Sequence, residues 1–81
     1  MNKDEIIRRL TGIYHEVFND NTIELSDEMT ANDIEGWDSL THLRLIMQIE
    51  KEFSIKFATS DIKKAGNVGQ LIVAIEERIK I

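Results

Sequence analysis

The chain has no cysteine among its 81 residues. That excludes disulfides and thiolate-ligated metal sites, and it fits a reducing compartment. It also has no proline, so helix ends must be set by glycine and by capping side chains. The start, Met1-Asn2-Lys3-Asp4-Glu5, is polar and acidic, unlike the basic and then apolar start of a signal peptide. No apolar run approaches the ~20 residues of a membrane span. Positive charge is scarce: ten Lys and Arg face fifteen Asp and Glu, for a formal net charge of −5. This balance argues against nucleic acid and anionic membranes as partners and suits proteins that present basic groups. The length predicts one domain over 1–81 with a limited core, located in the cytoplasm. A chain that begins at Met1 and ends directly after its last helical pattern is expected to be a stand-alone protein.

What is present is helical periodicity. Ile6, Ile7, Leu10, Ile13, Tyr14, Val17 and Phe18 fall on one stripe, which predicts a helix over about Lys3 to Phe18. Asn19-Asp20-Asn21-Thr22 ends it. The stretch from there to Asp38 has no sustained period. It carries scattered apolar anchors at Ile23, Leu25, Met29, Ile34 and Trp37. A loop this long in a small domain points to function. Thr30 and Asp33 have the spacing of a short capped turn. The helical pattern returns from Ser39 to Phe53 with Asp38 as N-cap. Leu45, Ile46, Ile49 and Phe53 form its stripe, and Leu40, Leu43 and Met47 lie beside it. Ile55 and Phe57 anchor a connector. A short helix is expected over Asp61 to Lys64, capped by Thr59 or Ser60 and ended by Gly66. Asn67 caps a last helix whose stripe is Val68, Leu71, Ile72, Ile75 and Ile79. The fold class is therefore all-α: a four-helix bundle of three main helices and one short one, with a long first loop.

Chemistry concentrates where the long loop meets the second helix. Ser39 is placed at the positive end of a helix dipole, beside N–H groups with no intrahelical acceptor, a setting suited to phosphate. Gly36 allows close approach to it. Asp38, Ser39 and His42 contain the residue types of a hydrolytic triad. But Asp38 adjoins the serine and is badly placed to orient the histidine, and Leu40 and Thr41 stand where a nucleophile elbow needs glycine. No catalysis is expected, and His42 reads as a solvated helix residue. His15 and His42 lack ligand-spaced companions, so no metal site is expected. Asn19 to Glu28 lacks the turn glycine and final spacing of a calcium loop. Trp37 reads as a loop anchor, and Arg8-Arg9 as a solvated face.

Gly36-Trp37-Asp38-Ser39-Leu40, followed by Leu43, Leu45, Ile46, Met47, Ile49, Glu50 and Phe53, resembles the acyl carrier protein signature. The long first loop, the short third helix and the spacing from Phe53 through Phe57 to Val68 match as well, so the resemblance covers essentially the whole chain. It implies that Ser39 receives 4′-phosphopantetheine covalently from coenzyme A. It implies that Asp38 caps the helix and helps to position the transferase with its magnesium. The stripe Leu40, Arg44, Met47 and Lys51, spaced by four, three and four residues, is implied to meet partner enzymes. An apolar cargo is implied to enter between helices lined by Leu45, Ile46, Ile49, Ile62, Leu71 and Ile75. Expected partners are a phosphopantetheinyl transferase and separate acyl-loading and acyl-transfer enzymes, with the chain itself a monomer that catalyses nothing.

The sequence departs from that family in one respect. Carriers of fatty-acid synthesis place carboxylates along this stripe, whereas here Thr41, Arg44 and Lys51 occupy it, with Glu50 and Glu52 as the nearby acids. Surface charge governs partner choice and on-rate. A specialised pathway is therefore expected rather than housekeeping synthesis. Two other readings stay open. An aminoacyl or peptidyl carrier ranks second, because Gly36-Trp37-Asp38-Ser39 lacks the double glycine usual there. A helical interaction module without an arm is the other.

Overall fold

The computed structural model describes residues 2–79, without the side chains of residues 63 and 64. Its helices are α1 (Lys3–Phe18), α2 (Ser39–Phe53), α3 (Thr59–Lys64) and α4 (Val68–Ile79), with a 3-10 turn at Ala31–Asp33 in the first loop. No strand occurs among the described residues, and no helix there is long and apolar enough to cross a membrane. The bundle expected from periodicity is the fold observed.

Each apolar stripe is buried as its spacing requires. Ile6, Leu10, Ile13 and Tyr14 of α1 meet Leu45, Ile46, Ile49 and Phe53 of α2 and Val68, Leu71, Ile72 and Ile75 of α4. Helix α1 packs most extensively on α2 and less on α4. Arg9 pairs with Glu52 at 3.2 Å across α1 and α2, and Arg8 with Glu5 at 3.2 Å within α1. The two arginines thus lie on a solvated face, as expected, and Arg9 also bridges helices. Exposed pairs of this kind contribute at most about 1 kcal/mol, so the apolar core carries the packing.

Local capping sets the helix ends. Asn2 Oδ1 accepts the Glu5 N–H at 2.9 Å. Asn19 ends α1 in the left-handed region at φ 51°, a conformation that asparagine tolerates better than most residues. Ser54 ends α2 in the same way at φ 55°, and its sequence carries no glycine to announce it. Asn67 Oδ1 accepts the Gln70 N–H at 2.8 Å, so the expected cap of α4 is present. The start of α3 differs from expectation. The helix begins at Thr59 with Ala58 as N-cap. Alanine has no side-chain acceptor, and the Ala58 N–H instead donates to Asp61 Oδ2 at 3.0 Å. Residue Gly66 does not adopt positive φ. Helix α3 closes at Ala65, and the Gly66 N–H donates to Gln70 Oε1 at 2.8 Å.

The long first loop is held along its length. Ile34 is buried, and Ile23, Leu25, Met29 and Trp37 pack against the core. The Ile23 carbonyl accepts from His15 Nε2 at 2.8 Å, which requires the proton on that nitrogen. The start of α4 supplies two more ties: Val68 N–H donates to the Met29 carbonyl at 2.9 Å and Gly69 N–H to the Asp27 carbonyl at 3.0 Å. These are first-turn donors that have no acceptor within their own helix. Gly69 permits the approach, because a Cβ there would lie 3.1 Å from both the Asp27 carbonyl oxygen and its Cβ.

Candidate functional site

The junction between loop and α2 is built by a turn and a reciprocal cap. The Trp37 N–H donates to the Ile34 carbonyl at 3.3 Å, and Gly36 between them has φ 87°. Such a φ at the third position of a turn is a type II geometry, which favours glycine. A Cβ on Gly36 would meet nothing within 4 Å, so the turn requires this glycine and internal crowding does not. The chain then enters α2 through Asp38. Asp38 Oδ1 accepts the Thr41 N–H at 2.9 Å, and Thr41 Oγ1 accepts the Asp38 N–H at 2.8 Å. This is a capping box with aspartate and threonine in the two roles. Thr41 Oγ1 also donates back to the Gly36 carbonyl at 2.7 Å, tying turn to helix. The hydrogen bond from the Thr41 backbone N–H is the main cause that holds the Asp38 carboxyl below the usual aspartate range. The expected N-cap is thus present. Thr41, placed by sequence among the outward stripe positions, is half-buried and serves the cap instead.

Ser39 is the first residue of α2 and is exposed. It shares a shallow groove with Ala31, Trp37, Asp38, His42, Ala65 and Gly66. The lining combines the small residues Ala31, Ala65 and Gly66 with Trp37, which is half-buried. The indole meets the Tyr14 ring edge-on at 5.4 Å and 81°, and the Phe18 ring at 5.9 Å. Trp37 is therefore the anchor expected from sequence, and it also lines the serine groove.

His42 differs from its expected solvated state. It is half-buried, its ring lies nearly parallel to the indole at 20°, and its Nδ1 accepts the Trp37 Nε1–H at 3.1 Å. Burial pushes its pKa below the ordinary histidine value. The tripeptide around Ser39 gave no sign of this. The signal was the five-residue separation of Trp37 and His42 across a helix start, which spacing rules for regular helices do not cover.

Leu40 is 70% exposed, Leu43 54% and Met47 64%. Arg44 and Lys51 are exposed beside them. The structure thus brings the sequence-derived stripe to the surface and adds Leu43. Glu50 and Glu52 are otherwise engaged. Glu50 Oε2 accepts the Phe57 N–H at 2.8 Å, and Glu52 pairs with Arg9. Of the residues expected to line a cargo path, Leu45, Ile46, Ile49, Leu71 and Ile75 are buried in the core, and Ile62 packs against it.

A family profile described as the phosphopantetheine attachment site matches residues 6–75. The acyl carrier protein of Thermotoga maritima is 29% identical over 77 residues, covering 95% of both chains. That of Cyanidium caldarium is 33% identical over 78 residues, covering 95% of this chain and 90% of its own. The solution structure of a holo acyl carrier protein from Geobacter metallireducens superposes with a TM-score of 0.86 at 41% identity, over 90% of this chain and 84% of that one. Proteins of this family carry covalent 4′-phosphopantetheine, and they act as carriers for transferases and acyl-handling enzymes. The site fits such a group: an exposed serine, a helix N-terminus suited to phosphate, and a shallow groove beside it lined in part by Ala31, Ala65 and Gly66. Sequence match and fold agree, and the chain belongs to the acyl carrier protein family, the phosphopantetheine-binding carriers.

Proposed function

We propose that this chain is a single carrier domain whose 4′-phosphopantetheine is attached to Ser39 and which serves a specialised pathway. The observation that carries the attachment is the placement of Ser39: an exposed hydroxyl on the first turn of α2, held there by the Asp38–Thr41 cap and the Gly36 turn. When bound, the group supplies a terminal thiol on a long flexible arm, able to hold an acyl cargo as a thioester. The residues of the chain do the rest. Ser39 Oγ would hold the group through a phosphodiester, made as the pyrophosphate bond of coenzyme A breaks, with the serine proton and adenosine 3′,5′-bisphosphate released. The Asp38–Thr41 cap fixes the helix N-terminus at that residue. Asp38 lies beside the serine, where a transferase can reach it with its magnesium. The chain catalyses nothing, and separate enzymes act on the cargo.

The specialised role is supported by the charge of α2. The protein carries a net charge of −5, yet both carboxylates of this helix face internal partners, the Phe57 amide and Arg9. Among the described residues neither Arg44 nor Lys51 is ion-paired. The exposed strip of Leu40, Leu43, Arg44, Met47 and Lys51 is therefore apolar and positive, and it suits a partner whose docking surface is acidic. Basic surfaces that grip acidic carriers are repelled by it.

The test is intact mass after incubation with coenzyme A, magnesium and a broad-specificity phosphopantetheinyl transferase, beside Ser39→Ala. The expected result is a gain of one phosphopantetheine unit by the native chain and none by the variant. An unmodified native chain that is folded by circular dichroism refutes the attachment. Efficient loading and elongation of the modified protein by general fatty-acid enzymes refutes the specialised role.

A further inference from the structure

The hydrogen bond between Trp37 and His42 has a chemical consequence. Indole Nε1–H is a donor only. Its contact with His42 Nδ1 at 3.1 Å therefore requires an unprotonated Nδ1, and the neutral ring keeps its proton on Nε2. The two rings are nearly parallel, at 20°, with their centroids 6.0 Å apart. Trp37 is itself packed against the Tyr14 and Phe18 rings, which restrains it from turning away. The burial that lowers the His42 pKa favours the same neutral form. The ring is thus set in both rotation and tautomer by its contact with Trp37.

Its remaining polar atom is a donor, Nε2–H. His42 lies three residues after Ser39 on α2, the spacing that brings side chains onto one helix face, and both line the same groove. The Asp38 carboxylate lines that groove as well. A phosphodiester on Ser39 therefore sits beside a like charge, and a fixed neutral donor nearby offsets part of that repulsion without a mobile cation. We propose that His42 is a positioning residue for the arm: Trp37 holds it as the Nε2–H tautomer, and that N–H donates to a phosphodiester oxygen of the group on Ser39. The attached end of the arm is then held along the groove rather than free about the Ser39 bonds.

This inference rests on Ser39 bearing the arm, and the experiment separates the two. Intact mass first establishes the attachment. Imidazole 15N shifts are then read on the unmodified protein, and the 31P resonance of the phosphodiester on modified protein, for the native chain, His42→Phe and His42→Gln. Expected is the Nε2–H tautomer before modification. The 31P resonance is expected to shift in His42→Phe and to return part-way in His42→Gln, whose amide can donate. Trp37→Phe keeps an aromatic ring without the indole donor, and there a mixture of tautomers is expected. An Nδ1–H tautomer in the native chain overturns the proposal even if no variant folds. So does a 31P resonance that is the same in the native chain and in folded His42→Phe, which would leave His42 as a latch for Trp37 alone. Absence of any mass gain instead overturns the attachment itself.

Discussion

Tyr14→Phe is expected to stabilise this protein. Tyr14 is fully buried, and its hydroxyl has no hydrogen-bond partner among the described residues. A buried hydroxyl left unpaired costs about 1–3 kcal/mol in proteins. Phenylalanine keeps the ring and its contacts with Phe18 at 5.7 Å and Trp37 at 5.4 Å. The loss is the packing of one oxygen, smaller than the removal of a buried methyl, which typically costs about 0.5–1.5 kcal/mol. The two effects oppose each other, and the polar penalty is the larger. The net gain is about 1 kcal/mol, or about 4–8 °C in Tm for a domain of this size. Urea and thermal unfolding, followed by circular dichroism, measure it. The same hydroxyl gives an independent readout. Burial raises its pKa above the ordinary tyrosine value, so the folded state holds the proton where the unfolded state releases it. That contribution is present below about pH 10 and is lost as pH rises beyond it. Because Tyr14 is the only tyrosine, ultraviolet absorbance follows its ionisation without interference from another phenol, and Tyr14→Phe should abolish that part of the alkaline loss. A variant less stable than the native chain by about 0.5 kcal/mol or more, or an ordinary titration of Tyr14 in the folded protein, would refute the reasoning.

Two further outcomes follow from the site. Asp38→Ala removes the acceptor of the Thr41 amide and should lower the urea midpoint, as loss of an N-cap does, with Thr41→Val costing less when added to it than alone, because both belong to one capping box. An unchanged midpoint in Asp38→Ala would mean that the cap contributes nothing. On acidification, stability should fall in two steps. His42 has its pKa lowered in the fold, so its contribution is complete above the ordinary value near 6.5 and is lost as pH drops through the folded value. Asp38 and Asp20 are held low by hydrogen bonds from Thr41 and Thr22, so theirs is complete above about pH 4 and is lost below it. Unfolding free energy measured against pH in the native chain and in His42→Gln checks this, the variant keeping only the lower step. A native profile flat between pH 7 and the carboxylate range would overturn the first step.

The four helices were legible because their signals are local. Apolar residues at helical spacing must share a face, so Ile6, Leu10, Leu45, Ile49, Leu71 and Ile75 pointed inward before any fold was known. Capping acts over three residues, so Asp38 and Asn67 were readable as N-caps, and Thr30 with Asp33 as a capped turn. Ser39 stood out for the same reason, since a helix start is a local event, and the exposure of Leu40 and Met47 followed from their offset along one helix.

Only the tertiary structure decided where groups distant in sequence meet. Period and capping rules are silent on a carboxylate that turns toward an amide seven residues on, as Glu50 does to Phe57. They are equally silent on the pairing of Glu52 with Arg9 of another helix, and without those contacts α2 would read as charge-balanced. The loop's register was set by orphan donors at the start of α4 meeting the Asp27 and Met29 carbonyls, a contact between segments far apart in the chain. His42 read as solvated because helical spacing placed it off the main stripe. The loop brought Trp37 against it, half-burying the ring and choosing its tautomer. Sequence determined the elements, their inward faces and the position of Ser39, because these depend on neighbours within a helical turn. Contacts of α2 with α1 and with the connector after it decided the charge shown to partners, and the loop packed across the bundle decided the state of the histidine beside the serine.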